Sequence, residues 1–227
     1  MKLIAIETAT EACSVALSVD GAMLSRHAVA PRRHAELVLP WIDELLASAG
    51  LSKRQLDAIA VGRGPGGFTG VRLGVALAQG IALALDRPLV GVSTLAALAC
   101  AAPPSPRVLA VIDARMGEVY HGLFDTGDDL PRTLADEGLC APDALVLPGA
   151  QSWVGVGSGL AADDGALRRR LHSRLTEVDA GALPQASDVA RIALDALARG
   201  EGGAPEMVQP AYLRDKVAQT LAERGLA

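Results

Sequence analysis

The chain has 227 residues, half of them hydrophobic, with a net charge of −5 and a pI of about 5.4. This is enough apolar material for one large domain or two small ones. The acidic balance excludes tight nucleic-acid binding by this chain alone, since such affinity rests on phosphate neutralisation by Lys and Arg.

Residues 2–7 (KLIAIE) and 13–19 (CSVALSV) read as strands, and Asp20-Gly21 as a hairpin turn into a third strand at 22–29. From His34 to Ser48, Leu37, Val38, Trp41, Leu45 and Leu46 recur at helical spacing before Gly50. A fourth strand at 57–61 leads into VGRGPGGFTG, and a helix capped by Thr69 runs to Leu85. Leu89–Val92 is a short strand, and Ser93 or Thr94 starts a small-residue helix. The proline run at 103–106 reads as a linker between halves at 1–102 and 103–227. The second half restarts with strands at 107–112 and 118–124. It continues with a loop over 126–142, strands at 143–147 and 152–157, helices at 160–172 and 187–199, and a last helix at 214–223. Strand runs followed by helices predict an α/β protein of two RNase H-like units.

Gly62, Gly64 and Gly67 match the dinucleotide fingerprint by spacing, but three strands and a helix precede them. Asp86 ends the helix rather than the next strand. As a phosphate loop the stretch lacks its lysine, because Phe68 stands there. The following helix is more informative. Gly70, Gly74 and Ala78 form one small-residue stripe, flanked by Val71 and Val75, with Leu73, Leu77, Ile81 and Leu85 on a bulky face. Glycine in a helix interior costs up to ~1 kcal/mol, and close approach by another element would offset it. Two readings stand open: a helix of the same chain or of another subunit.

In IAIETATEACSVAL, Glu7, Thr8 and Thr10 occupy the place where actin-like ATPases carry a phosphate turn. Glu7 replaces the usual Asp and Ala9 the Gly, so the turn reads as degenerate. The glycines of VGVGSGL (154–160) read as turn residues. Asp113, Arg115 and Glu118 form a charged cluster at a strand turn, either fixing that turn or serving docking or gating. Arg168, Arg169, Arg170 and Arg174 read as a solvated helix face. Three distant cysteines and four histidines without a ligand pair give no disulfide framework or zinc motif and fit a reducing cytoplasm. The start of the chain is not a signal peptide, and the 70–85 run is too short for a confident membrane span. Aromatic residues are only 3%.

IAIETATEACSVAL, PRRHAELVLPWIDELL, AVGRGPGGFTGVRLGVALAQGIALAL, LVGVSTLAALA, VLAVIDARMGEVY and PAYLRD, in that order, resemble the TsaB (YeaZ) family. The resemblance implies two ASKHA (actin-like) lobes with mixed β-sheets flanked by helices. It implies a non-catalytic cytoplasmic subunit required for threonylcarbamoylation of tRNA adenosine 37. The implied partners are a TsaD-type transferase as heterodimer, a TsaE-type ATPase, and a second copy when alone, with tRNA met only through the complex. No metal and no cofactor belong to this chain alone, and ATP or ADP would sit only at the interface of the complex. Pairing in the family uses two N-terminal-lobe helices. The implied interface residues are His34, Leu37, Val38, Trp41, Leu45, Gly70, Val71, Gly74, Val75, Ala78 and Ile81. On that reading Gly74→Trp leaves the fold intact and blocks pairing. The competing expectation is an ASKHA small-molecule kinase or ATPase with a divergent phosphate turn.

Overall fold

The computed structural model describes residues 1–214. Strands β1 (Lys2–Glu7), β2 (Ala12–Val19) and β3 (Ala22–Val29) form an antiparallel meander, with Asp20 and Gly21 at positive φ in the two-residue turn that Asp-Gly favours. Helix α1 (His34–Ser48) follows. Then come β4 (Ala58–Gly62), α2 (Phe68–Leu85), β5 (Leu89–Val92) and α3 (Thr94–Ala99), the last capped by the Ser93 hydroxyl. Strands β4 and β5 add in parallel, giving the order β3-β2-β1-β4-β5.

The second half repeats this plan. Strands β6 (Val108–Arg115), β7 (Glu118–Asp125) and β8 (Arg132–Cys140) are antiparallel, and β9 (Trp153–Val156) and β10 (Leu175–Asp179) join in parallel. The order is β10-β9-β6-β7-β8, the same pattern read from the other edge. Helix α4 (Ala162–Arg170) lies between β9 and β10, and α5 (Ala186–Ala198) follows.

Alternation along β1 builds both faces of the first lobe. Ile4 and Ile6 face α1 and α2, meeting Val38, Ile42, Leu45, Val75 and Ala78. Leu3 and Ala5 face the other way, with Ala16, Ala58 and Ala60, against Ala186, Val189, Ala190 and Ala193 of α5. Small residues on both partners let α5 approach the sheet closely. The N-terminal lobe therefore draws on a helix from beyond residue 103, and the chain returns to the first lobe after building the second sheet.

The fold corrects several sequence expectations. The segment 126–142 holds a strand, β8, whose mixed polar residues and register shifts hide its alternation. Residues 143–147 are not a strand. Leu145 and Leu147 point into the core while Val146 is exposed, between Pro142 and Pro148. Strand β10, LTEVD, is short and half polar and was not expected. In α4, Asp163, Asp164 and Gly165 take left-handed conformations, so regular helix begins only after them. The cap of α2 is Gly67, with Thr69 inside the first turn. The helix expected at 214–223 lies outside the described residues.

The α5 contact yields a test. Ala193→Phe should overpack the seam and lower unfolding free energy by roughly 1–3 kcal/mol, measured by urea denaturation. An unchanged midpoint would refute that packing.

Candidate functional site

Glu7 ends β1 and is 1% exposed. A buried carboxylate must be bonded or neutral. Its Oε1 accepts the Ala9 amide (2.7 Å) and its Oε2 accepts the Thr94 hydroxyl (2.9 Å). Burial pushes its pKa up from 4.5 to about 7, and hydrogen bonds from Ala9, Thr94 and Thr8 moderate the rise. Thr94 also accepts the Gly64 amide (3.2 Å) and donates its own amide to the Gly64 carbonyl (2.9 Å). The first turn, the glycine loop and the start of α3 thus meet at one carboxyl.

The glycines make this meeting fit. A Cβ at Gly62 would collide with the Glu7 carboxyl, one at Gly66 with the Ala9 carbonyl, and one at Gly70 with the Thr8 carbonyl. The Gly67 amide donates to Ala9 O (2.7 Å), and the Thr8 hydroxyl donates to Gly70 O (2.8 Å). The loop is clamped onto the turn at Thr8–Ala9, the place where a phosphate turn would need open space. Thr10 sits at its edge, accepting the Ala12 amide (3.3 Å).

This corrects the small-residue stripe. A Cβ at Gly74 would lie 2.5 Å from Thr8 Oγ1, and Ala78 has no exposed surface. The close neighbour is the chain's own turn, so Gly74→Trp would break the fold. Val71, Val75, Val38 and Leu45 are likewise buried in the chain's own core, and Gly70 is pressed against Thr8. His34 is buried too, its Nε2 within 3.0 and 3.1 Å of the Thr10 and Ala12 carbonyls, which ties α1 to β2. These residues do not present a surface to a partner.

Leu37, Trp41 and Ile81 remain half-exposed on the outer side of α1 and α2. Beside them lie Leu73 and Leu77 of the bulky face the sequence marks, with smaller residues the expected interface set leaves out. Leu73, Leu77, Gly80 and Ala84 follow one another along α2 on a ridge, with Ala76 and Leu83 adjoining it, and Leu83 is 61% exposed. A Cβ at Gly80 would meet nothing within 4 Å among the described residues. Only 28% of this apolar helix is buried. Its length and composition would suit a membrane span, but its inner stripe is seated on β4 and the first turn.

Asp113, Arg115 and Glu118 gather at the β6–β7 turn. Asp113 accepts the Arg115 amide (2.7 Å) and pairs with its guanidinium (2.9 Å). Glu118 pairs with Arg214 (2.8 Å), which also donates to Ala114 O (3.0 Å). Arg214 belongs to the PAYLRD segment, whose Ala211 amide bonds Arg63 O (2.8 Å). That segment straps one lobe to the other. Among the described residues no three His, Cys, Asp or Glu side chains converge as a metal-ligand set.

Residues 27–221 match the family model described as TsaD: tRNA N6-adenosine threonylcarbamoyltransferase. The chain is 41% identical over 96% of both chains to the tRNA threonylcarbamoyladenosine biosynthesis protein TsaB of Escherichia coli K12. It is 40% identical, over 42% of its own length and 31% of the relative's, to a tRNA N6-adenosine threonylcarbamoyltransferase of Nitratidesulfovibrio vulgaris. The solved structure of YeaZ from Pseudomonas aeruginosa superposes with a TM-score of 0.85 at 41% identity. The match covers 93% of this chain and 99% of that one.

The buried carboxyl gives a pH signature. With a folded pKa of about 7 against 4.5, the folded state binds more protons between those values. Stability contributed by Glu7 is therefore full below pH 4.5, falls as pH rises, and levels off above about 7, a loss of up to roughly 3 kcal/mol. Glu7→Gln should remove this slope, so the variant gains on the parent from pH 5 to 8 in paired denaturation curves. Parallel curves would refute the assignment.

Proposed function

The chain belongs to the TsaB (YeaZ) family, and from that premise we propose that it is a non-catalytic subunit in the threonylcarbamoylation of tRNA adenosine 37. It pairs with a TsaD-type paralogue and activates it. The observation that carries this reading is the outer ridge of α2. Gly80 accepts the helix-interior cost of glycine with no close neighbour among the described residues, amid exposed Ala76, Leu83 and Ala84. A second helix packed along Leu73, Leu77 and Gly80, with Leu37 and Trp41 of α1 at the rim, would bury that apolar surface. A second copy uses the same face when the paralogue is absent, and a TsaE-type ATPase joins the assembled pair.

The competing ATPase reading finds its phosphate turn filled. The Thr8–Ala9 backbone is covered by Gly66, Gly67 and Gly70, and the Glu7 carboxyl is turned inward. On the pairing reading, ATP or ADP is met only at the interface of the assembled complex.

Gly80→Trp should retain the parent's circular dichroism and melting temperature. It should no longer co-elute with the TsaD-type paralogue in size-exclusion chromatography. Reconstituted tRNA modification should require the parent chain and fall at least about tenfold with the variant. Normal co-elution and full modification by Gly80→Trp would overturn the assignment of this face.

A further inference from the structure

A cavity of about 500 Å³ opens between the lobes, beside the clamp and away from the outer ridge of α2. Its volume is that of a small-molecule site. Gly67 and Phe68 bring the N-terminus of α2 to its wall. No side chain caps this helix, and Val71 is its first amide to reach a carbonyl, Gly67 O at 3.0 Å. The amides of Phe68, Thr69 and Gly70 have no acceptor among the described residues. An 18-residue helix ending in free N–H groups favours an anion there.

Three independent features join it. Arg72 lines the cavity with its guanidinium 3.3 Å from the Phe68 ring centroid and 4.8 Å from that of Tyr212. No carboxylate pairs with it among the described residues. Phe68, Tyr120 and Tyr212, half of the chain's six aromatic residues, line this one space. His34, only 8% exposed, also lines it. Its Nε2 is committed to two backbone carbonyls, and its Nδ1 has no protein partner among the described residues. Of the carboxylates here, Asp113 is paired with Arg115, while Glu11 disfavours a highly charged ligand.

We propose that this cavity binds a small molecule bearing one oxyanion, a phosphate monoester or a carboxylate, on a flat apolar body. The Phe68 amide at the start of α2 and Arg72 take the oxyanion, and Tyr120 and Met116 meet the body. His34 Nδ1 accepts a hydrogen bond from a ligand N–H or O–H. The clamp at Thr8–Ala9 stays closed throughout.

The test is calorimetric titration of the full chain with phenyl phosphate, benzoate, inorganic phosphate and phenol. Phenyl phosphate or benzoate should bind, and whichever binds identifies the oxyanion. Inorganic phosphate and phenol should each be at least about tenfold weaker. Arg72→Gln should fold, by melting temperature, and should weaken binding at least about tenfold. Absence of binding by both aromatic acids at millimolar concentration would overturn the proposal. Equal binding of inorganic and phenyl phosphate, or unchanged affinity in folded Arg72→Gln, would do the same. Co-elution with the paralogue is read separately, so failure here leaves the pairing reading standing.

Discussion

Placing the Glu7 carboxyl beneath a glycine loop is the constraint on which the first lobe depends. A carboxyl removed from water needs donors, and those within reach come from the next turn and from α3. Satisfying it fixes the distance between β1, the loop after β4 and Thr94 together. The loop must then pass over Thr8 and Ala9 so closely that Gly62, Gly66 and Gly70 admit no side chain. From there α2 leaves in one direction only, with Val75, Ala78 and Ala82 down on the sheet and its opposite ridge half-buried to exposed among the described residues.

Most of the first lobe is legible in the sequence because its signals are local and strong. Asp20-Gly21 marks a hairpin, His34–Ser48 keeps helical period, and the run before Gly62 is continuously apolar. The second lobe is less legible because its edge strands carry little signal. RTLADEGLC and LTEVD are half-polar and gain their ladders from β7 and β9 rather than from a hydrophobic face. Pairing across some tens of residues is a tertiary fact that no window over the strand contains.

The helix glycines show the same limit more sharply. Spacing tells that Gly70, Gly74 and Ala78 share a stripe, and propensity tells that something must approach it closely. Neither tells whether the neighbour is a helix, a turn or another chain. The neighbour proves to be Thr8, sixty-two residues before Gly70, hydrogen-bonded to that glycine's carbonyl. Gly80, off the stripe, has the weaker sequence signal and the open surroundings. Which side of α2 faces outward is likewise set by burial and not by spacing.

The repeated topology explains why the two lobes differ in the surface they offer. In the second sheet the residues after β9 do what those after β4 do. Side chains at Gly157 and Gly159 would collide with Val111 on β6, the counterpart of β1. Glycines after the central parallel strand are thus a packing device in both lobes, allowing the chain to fold back over the neighbouring strand. The helices beyond those glycines differ. After β4 comes an unbroken helix of 18 residues, and after β9 a helix of nine whose first turn contains three left-handed residues. The short element spends its apolar residues, Leu167 and the following Leu171, on its own core. The long one carries more apolar surface than the described residues of its lobe cover, so the same plan leaves an exposed apolar ridge in one lobe and none on the shorter helix of the other.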